Sequence, residues 1–270
     1  DMAIEQAREQ GADLIIAVDP DADRCALAVP DPGAEAGWSP LSGDQIGCLL
    51  GEFLAARGLE GSLANSIVSS RLLARIARSH GLEHHTTLTG FKWIARAPQL
   101  AFGYEEAIGF CPNPSVARDK DGIASSVVAA SLFAALKTEG RTAWDELDRL
   151  AHAHGLHVTG PLTFRVEEIA QIDTGMARLR AQPPSELAGS PVVEVSDLAE
   201  GYQGLPPTDG VLVLTEAGDR VIARPSGTEP KLKCYLEVIL PAPEGEPVPW
   251  EAARERLELI KREFGQIIGL

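Results

Sequence analysis

The chain has 270 residues, 44% of them hydrophobic and 23% charged, enough for about two domains with a buried core that needs neither disulfides nor a structural metal. Twenty-four Lys and Arg against 39 Asp and Glu leave a formal net charge of −15, which speaks against nonspecific nucleic-acid binding and anionic membrane surfaces. An acidic chain that binds an anion must therefore reverse its charge locally.

The elements in chain order begin with a helical pattern from Asp1 to Gln10, stopped by Gly11, and a buried strand from Asp13 to Val18. A helix feeding a buried strand is the second half of a βαβ unit, so the sequence reads as the C-terminal part of a longer protein. An acidic loop and a strand from Cys25 to Val29 follow, then a turn-rich break over residues 30–37. Ser42 is placed to cap a helix through Leu54. Next come a strand at Asn65–Ser69, a helix at Arg71–His80, strands near His84–Leu88 and ending at Tyr104, and a long helix over 122–136. This alternation predicts a mostly parallel α/β layer. Beyond Gly155 the pattern becomes strand-rich, near 162–166, 192–195, 211–215, 220–223 and 231–239, with one helix inside and one closing the chain at 250–264. In the last strand Leu232, Cys234, Leu236 and Val238 alternate with more polar residues, as in a half-buried antiparallel strand. The expected fold class is α/β, with mixed, mostly parallel layers and a C-terminal α+β domain.

Cys25, Cys48, Cys111 and Cys234 are scattered and form no C-x-x-C pair, which fits a reducing compartment. The most apolar stretch, 123–136, is shorter than the ~20 residues that span a bilayer. No targeting peptide is legible, so the expected location is the cytoplasm.

Three segments carry chemistry. In Asp19-Pro-Asp21-Ala-Asp23-Arg24, three carboxylates alternate in a short loop directly after a strand, where open α/β sheets bind ligands. Their mutual repulsion, about 4 kcal/mol per pair at ~4 Å and an effective dielectric of 20, is relieved by a hard cation such as Mg²⁺. A solvated acidic turn is the plain alternative. An EF-hand is excluded, because Arg24 stands where its glycine belongs and Pro30 where its glutamate belongs. A haloacid-dehalogenase-type phosphatase, with Asp19 as nucleophile, also places Asp-x-Asp after a strand.

The second segment, Arg224-Pro-Ser-Gly-Thr-Glu-Pro-Lys231, lies between two strands. Gly227 permits close backbone approach and an anion nest, Ser226 and Thr228 add hydroxyls, and Arg224 and Lys231 add charge. Over 224–233 three basic residues outnumber one acidic residue, which is the local reversal the net charge demands. A plain hairpin loop would not need that density of donors. In the third segment, Gly103-Tyr-Glu-Glu-Ala-Ile-Gly-Phe110, Glu105 and Glu106 can accept hydrogen bonds from sugar hydroxyls. Taken alone, this pair is better explained by a structural or solvated role, as are Thr89-Gly-Phe-Lys-Trp93 and Arg118-Asp-Lys-Asp-Gly122.

Together the segments resemble the α-D-phosphohexomutase family, the phosphoglucomutases and phosphomannomutases. DPDADR resembles the family's magnesium loop, GYEEAIGF its sugar-binding loop and RPSGTEPK its phosphate-binding loop. TGFKW and RDKDG resemble two further substrate-contacting segments. The resemblance implies that residues 1–37 end a second domain, 38–155 form a third and 156–270 a fourth.

It further implies an isomerase that shifts a phosphoryl group between C1 and C6 of a hexose phosphate, through an enzyme phosphoserine and a sugar 1,6-bisphosphate. Asp19, Asp21 and Asp23 would hold Mg²⁺ beside a supporting Arg24. Glu105 and Glu106 would orient sugar hydroxyls, with Thr89, Gly90 and Lys92 on a facing loop and Lys120 near the phosphate or sugar. Arg224, Ser226, Gly227, Thr228 and Lys231 would clamp the unreacting phosphate. The family's Ser-His-Asn-Pro phosphoserine loop has no counterpart here, so the partners are small sugar phosphates and a missing N-terminal part of the same protein, without nucleic acid or membrane. The fragment alone is expected to be inactive.

One departure is Ala107, where many members carry Ser. The E-E-A form resembles the branch of phosphopentomutases, glucose-1,6-bisphosphate synthases and bacterial phosphomannomutase-like enzymes. A noncatalytic sugar-phosphate-binding module is the alternative from another class. The phosphatase reading leaves RPSGTEPK unexplained.

Overall fold

The computed structural model describes residues 2–226 and 229–269, and the chain divides into two compact units, 1–150 and 151–270. Unit 1 opens with α1 (Met2–Gln10), β1 (Ile15–Val18), β2 (Cys25–Pro30) and β3 (Trp38–Pro40). These strands form an antiparallel sheet in the order β1-β2-β3, with Val18 opposite Cys25 and Pro30 opposite Trp38. The sequence predicts β1 to be buried; instead Ile15 and Ile16 are half-buried, and Ala17 and Val18 are exposed. β1 is an edge strand, flanked in this sheet by β2 alone. β3 closes the Pro- and Gly-rich turn that reads as a plain break.

The second layer holds α2 (Gly43–Ala55), β4 (Ser62–Ser66), α3 (Leu72–Ser79), β5 (Glu83–Thr87), α4 (Phe91–Ile94), β6 (Leu100–Glu105) and β7 (Gly109–Cys111). α5 (Gly122–Thr138) and α6 (Ala143–His154) follow. α2 starts where the sequence predicts, because Ser42 and Gln45 form a reciprocal capping box. The sheet order is β5-β4-β6-β7, with β5 and β6 parallel to β4 and β7 antiparallel to β6. The carboxyl ends of β4, β5 and β6 therefore share one edge.

β4 spans Ser62–Ser66 rather than the predicted Asn65–Ser69. It is buried throughout although polar, and its side chains are hydrogen-bonded: Ser62 Oγ donates to Pro98 O at 2.6 Å and Asn65 Nδ2 to Ser70 O at 2.8 Å. Residues 67–70 are a turn instead, with Ser69 N–H bonded to Ser66 O at 3.0 Å. Helices cover both faces of β6: a Cβ on Gly47 of α2 would meet the Tyr104 ring at 2.5 Å, and one on Gly103 would meet Ile94 of α4 at 2.5 Å.

Unit 2 contains β8 (Leu156–Arg165), α7 (Ile169–Ala181), β9 (Glu186–Leu187), β10 (Ser190–Asp197), β11 (Val211–Thr215), β12 (Arg220–Pro225), β13 (Lys231–Leu240) and α8 (Trp250–Ile268). The strands build one antiparallel sheet in the order β8-β13-β12-β11-β10-β9. Leu232, Cys234, Leu236 and Val238 point from β13 into a core completed by Ile172, Met176 and Leu179 of α7 and by Leu257, Ile260 and Phe264 of α8. All four cysteines are buried and unbridged, and desolvation pushes the Cys111 thiol up to about 11 and that of Cys234 up to about 12. Among the described residues, no helix is long and apolar enough to cross a membrane.

Candidate active site

The acidic loop leaves β1 and turns back into β2. Asp19, Asp21 and Asp23 each offer a carboxylate oxygen, and these oxygens lie within 4.8 Å of one another. The loop is pinned at several points. Arg24 N–H donates to Asp19 Oδ1 at 3.0 Å, Gly122 N–H to Ala22 O at 3.0 Å, and Cys25 N–H to Ile108 O at 3.0 Å. Ala22 takes a left-handed conformation, with φ at 57°, to make this turn. The Arg24 N–H, helped by the Arg24 guanidinium, holds the Asp19 carboxyl below its ordinary value.

The residues present fit a hard divalent cation. Asp23 Oδ1 is buried and accepts no hydrogen bond; Arg24 Nε stands 3.9 Å away. A buried carboxylate oxygen without a donor is costly, and a cation shared with Asp19 and Asp21 would satisfy it. The all-oxygen donor set suits Mg²⁺.

Glu105 and Glu106 stand at the end of β6. Lys120 Nζ lies 2.6 Å from Asp23 Oδ2. Burial works against the Lys120 charge, but the hydrogen bond to Asp23 and the field of Glu105 outweigh it and raise its pKa. Burial also raises the Glu105 carboxyl, which the charges of Lys120 and Arg24 partly restrain. Glu106 is raised by burial as well, and its Oε2 accepts hydrogen bonds from Ser66 Oγ and Ser69 Oγ, both at 3.1 Å.

Sequence reasoning misses these two serines, and the signal that could have found them is the density of serines at 66–70, where β4 ends. It misses Asp44 too, whose Oδ1 accepts from Tyr104 Oη at 2.9 Å and from Ser70 N–H at 2.7 Å. Asp44 thus ties the start of α2 to β6. Next to it, Gly43 leaves space that no larger residue could share, since a Cβ there would lie 2.1 Å from Glu106 O.

The remaining predicted residues are placed less closely. Thr89 and Gly90 follow β5 at the same sheet edge, and Lys92 is exposed on α4, its Nζ 5.9 Å from the Trp93 ring centroid. Among the described residues, no hydrogen bond links this segment to Glu105 or Glu106. In unit 2 the β12–β13 connection carries Arg224, Ser226 and Lys231; Ser226 N–H donates to Lys231 O at 2.8 Å, and Lys231 pairs with Glu229. Gly227 and Thr228 lie outside the described residues.

Two family descriptions match this chain: the α/β/α domain III of phosphoglucomutase/phosphomannomutase over residues 42–153, and the C-terminal domain of the same family over 136–246. The chain belongs to the α-D-phosphohexomutase family. A Haemophilus influenzae protein named probable phosphomannomutase is 44% identical over 239 residues, 88% of this chain and 48% of its own length. A Staphylococcus aureus phosphoglucomutase is 33% identical over 89% of this chain and 47% of itself. A mouse phosphopentomutase is 30% identical over 96% and 45%. This phosphohexomutase chain therefore spans about half the length of the curated relatives it matches. Among solved structures, the Paramecium parafusin (phosphoglucomutase) open form superposes with a TM-score of 0.69 at 20% identity, over 99% of this chain and 48% of that one. The likeness is one of fold.

Proposed function

We propose that this chain supplies the metal, sugar and phosphate sites of a phosphosugar mutase that moves a phosphoryl group between C1 and C6 of a hexose phosphate. The observation that carries the reading is the junction of three loops in unit 1. The Asp19–Asp23 carboxylates converge, and the third is tied to Lys120, whose charge is felt by Glu105. Residues 1–37 are assigned to the end of the family's second domain, 38–155 to the third and 156–270 to the fourth.

In this reading Asp19, Asp21 and Asp23 hold Mg²⁺, which when bound supplies neutralisation of charge on the transferring phosphoryl. Arg24 and Lys120 place two more positive charges beside it. Glu106, oriented by Ser66 and Ser69, and Glu105 accept hydrogen bonds from sugar hydroxyls, with Thr89, Gly90 and Lys92 completing the sugar's surroundings. Arg224, Ser226, Gly227, Thr228 and Lys231 are assigned to the phosphate that is not reacting, a positioning role of the kind that supplies much of the rate in phosphoryl transfer. The phosphoserine that donates and recovers the group, by way of a sugar 1,6-bisphosphate, is assigned to a part of the protein outside these 270 residues. The relatives' roughly double length supports that assignment.

The test is calorimetry and a coupled mutase assay on the 270-residue chain. The expected result is Mg²⁺-dependent binding of glucose 6-phosphate or mannose 6-phosphate without turnover. Robust mutase turnover by this chain alone would overturn the assignment of the phosphoserine, and absence of any sugar-phosphate binding would overturn the site. Ala107 in the sugar loop favours a second reading, a phosphopentomutase or glucose-1,6-bisphosphate synthase of the same family, which ribose 1-phosphate in the same titration would reveal.

A further inference from the structure

The sheet of unit 2 carries an electrostatic arrangement that the phosphate-loop motif does not contain. On the face opposite the α7–α8 core, β12, β13 and β8 present paired residues from one end to the other. At one end Arg220 stands opposite Glu237, an ion pair at 3.2 Å. At the other end the partners have like charge: Arg224 is opposite Lys233, and Lys231 is opposite Arg165. Strand periodicity places all four cations on one face, since 231 and 233 are two apart and each partner is directly across the ladder. Like charges directly opposite one another destabilise a sheet. Two such pairs in adjacent positions, in a chain of net charge −15, leave four cations at this corner, one of which, Lys231, pairs with Glu229.

Arg165 is the member of this corner that lies far from the motif in sequence. It is exposed, at the end of β8, and makes no hydrogen bond or ion pair among the described residues. A groove of about 360 Å³, lined in part by Thr163, Arg165, Glu167 and Gln171, runs beside it. Glu229, paired with Lys231, is the carboxylate engaged at this corner. Partial desolvation and then the charges of Arg165 and Lys233 hold the Lys231 ammonium below its ordinary value, so the cations feel each other.

We propose that Arg165 is a phosphate-binding residue, which extends the cradle of Arg224 and Lys231 across the sheet to β8 and gives the bound dianion a cation on each of three strands. The proposal rests on the reading of RPSGTEPK as a phosphate loop. Its planar guanidinium can engage two phosphate oxygens at once, which a lysine at the same place cannot.

The experiment titrates inorganic phosphate into the 270-residue chain and its R165A, R165K, R224A and R262A variants, by calorimetry and by thermal melts. The expected result is that R165A weakens phosphate binding about tenfold, the loss of one charge-assisted contact. R165K should recover part of the affinity, and R262A, an exposed cation on α8, should leave it unchanged. Without phosphate R165A should melt slightly higher, since a like-charge pair is gone, while the rise in melting temperature on adding phosphate shrinks. Unchanged phosphate affinity in R165A alongside a loss in R224A would overturn the role of Arg165 and leave the phosphate loop standing. No phosphate binding by the parent chain would overturn the phosphate loop, and the role of Arg165 with it.

Discussion

Lys120 Nζ sits 2.6 Å from Asp23 Oδ2, so a cation from the loop before α5 occupies one oxygen of the last carboxylate in the acidic loop. The other oxygen of Asp23 is buried without a hydrogen bond. The ammonium thus competes for the carboxylate with the cation the loop is suited to hold. Lys120→Met is expected to raise the affinity of the chain for Mg²⁺ by roughly threefold to tenfold, the effect of about 1 kcal/mol of removed repulsion, and to weaken hexose-phosphate binding. Calorimetric titration with each ligand checks both. A fall in Mg²⁺ affinity would instead show that Lys120 organises the loop.

Gly122, first residue of α5, is the contact point between that helix and the acidic loop. A Cβ there would lie 2.5 Å from Arg24 O and 2.7 Å from Ala22 O, both backbone atoms that cannot swing aside. Gly122→Ala is expected to cost about 1–3 kcal/mol of stability through overpacking and to weaken Mg²⁺ binding as the loop is displaced. Urea unfolding and Mg²⁺ titration measure the two effects. Full Mg²⁺ affinity in a destabilised variant would mean that the carboxylates do not depend on α5 for their placement.

Glu106 predicts a pH signature. Burial raises its carboxyl pKa above the ordinary 4.5, so the folded state holds the proton more tightly than the unfolded state. Stability attributed to this group is therefore present below about 4.5, declines as pH rises through the window up to the folded value, and stays lower above it. Glu106→Gln removes that penalty while its amide oxygen still accepts from Ser66 and Ser69. The variant is expected to melt higher than the parent near pH 7, to match it near pH 4, and to bind hexose phosphate more weakly. Equal destabilisation at both pH values would contradict this account of Glu106.

The loops are legible in the sequence because their chemistry is local. Three alternating carboxylates, or Gly, Ser and Thr flanked by Arg and Lys, are unusual enough to stand out without knowledge of their partners. What supports the loops is not local. Ser66 and Ser69 reach Glu106 across 40 and 37 residues, and Arg165 meets Lys231 only through strand pairing. β4 is displaced from its expected position because a buried strand of Ser, Leu, Ala, Asn and Ser carries little hydrophobic signal. β1 shows the opposite error: an apolar run predicts burial, while the sheet leaves it on an edge. Parallel layers and the alternating β13 are read correctly because both follow from periodicity.

The four buried thiols give the chain a built-in set of clocks. Cys25, Cys48 and Cys111 belong to unit 1, whereas Cys234 belongs to unit 2. A thiolate is the reacting species, and burial suppresses it, so a thiol reagent reaches each sulfur at the rate its surroundings open. The labelling of Cys234 against the other three therefore times the opening of one unit independently of the other, with no residue changed and no dye introduced beforehand.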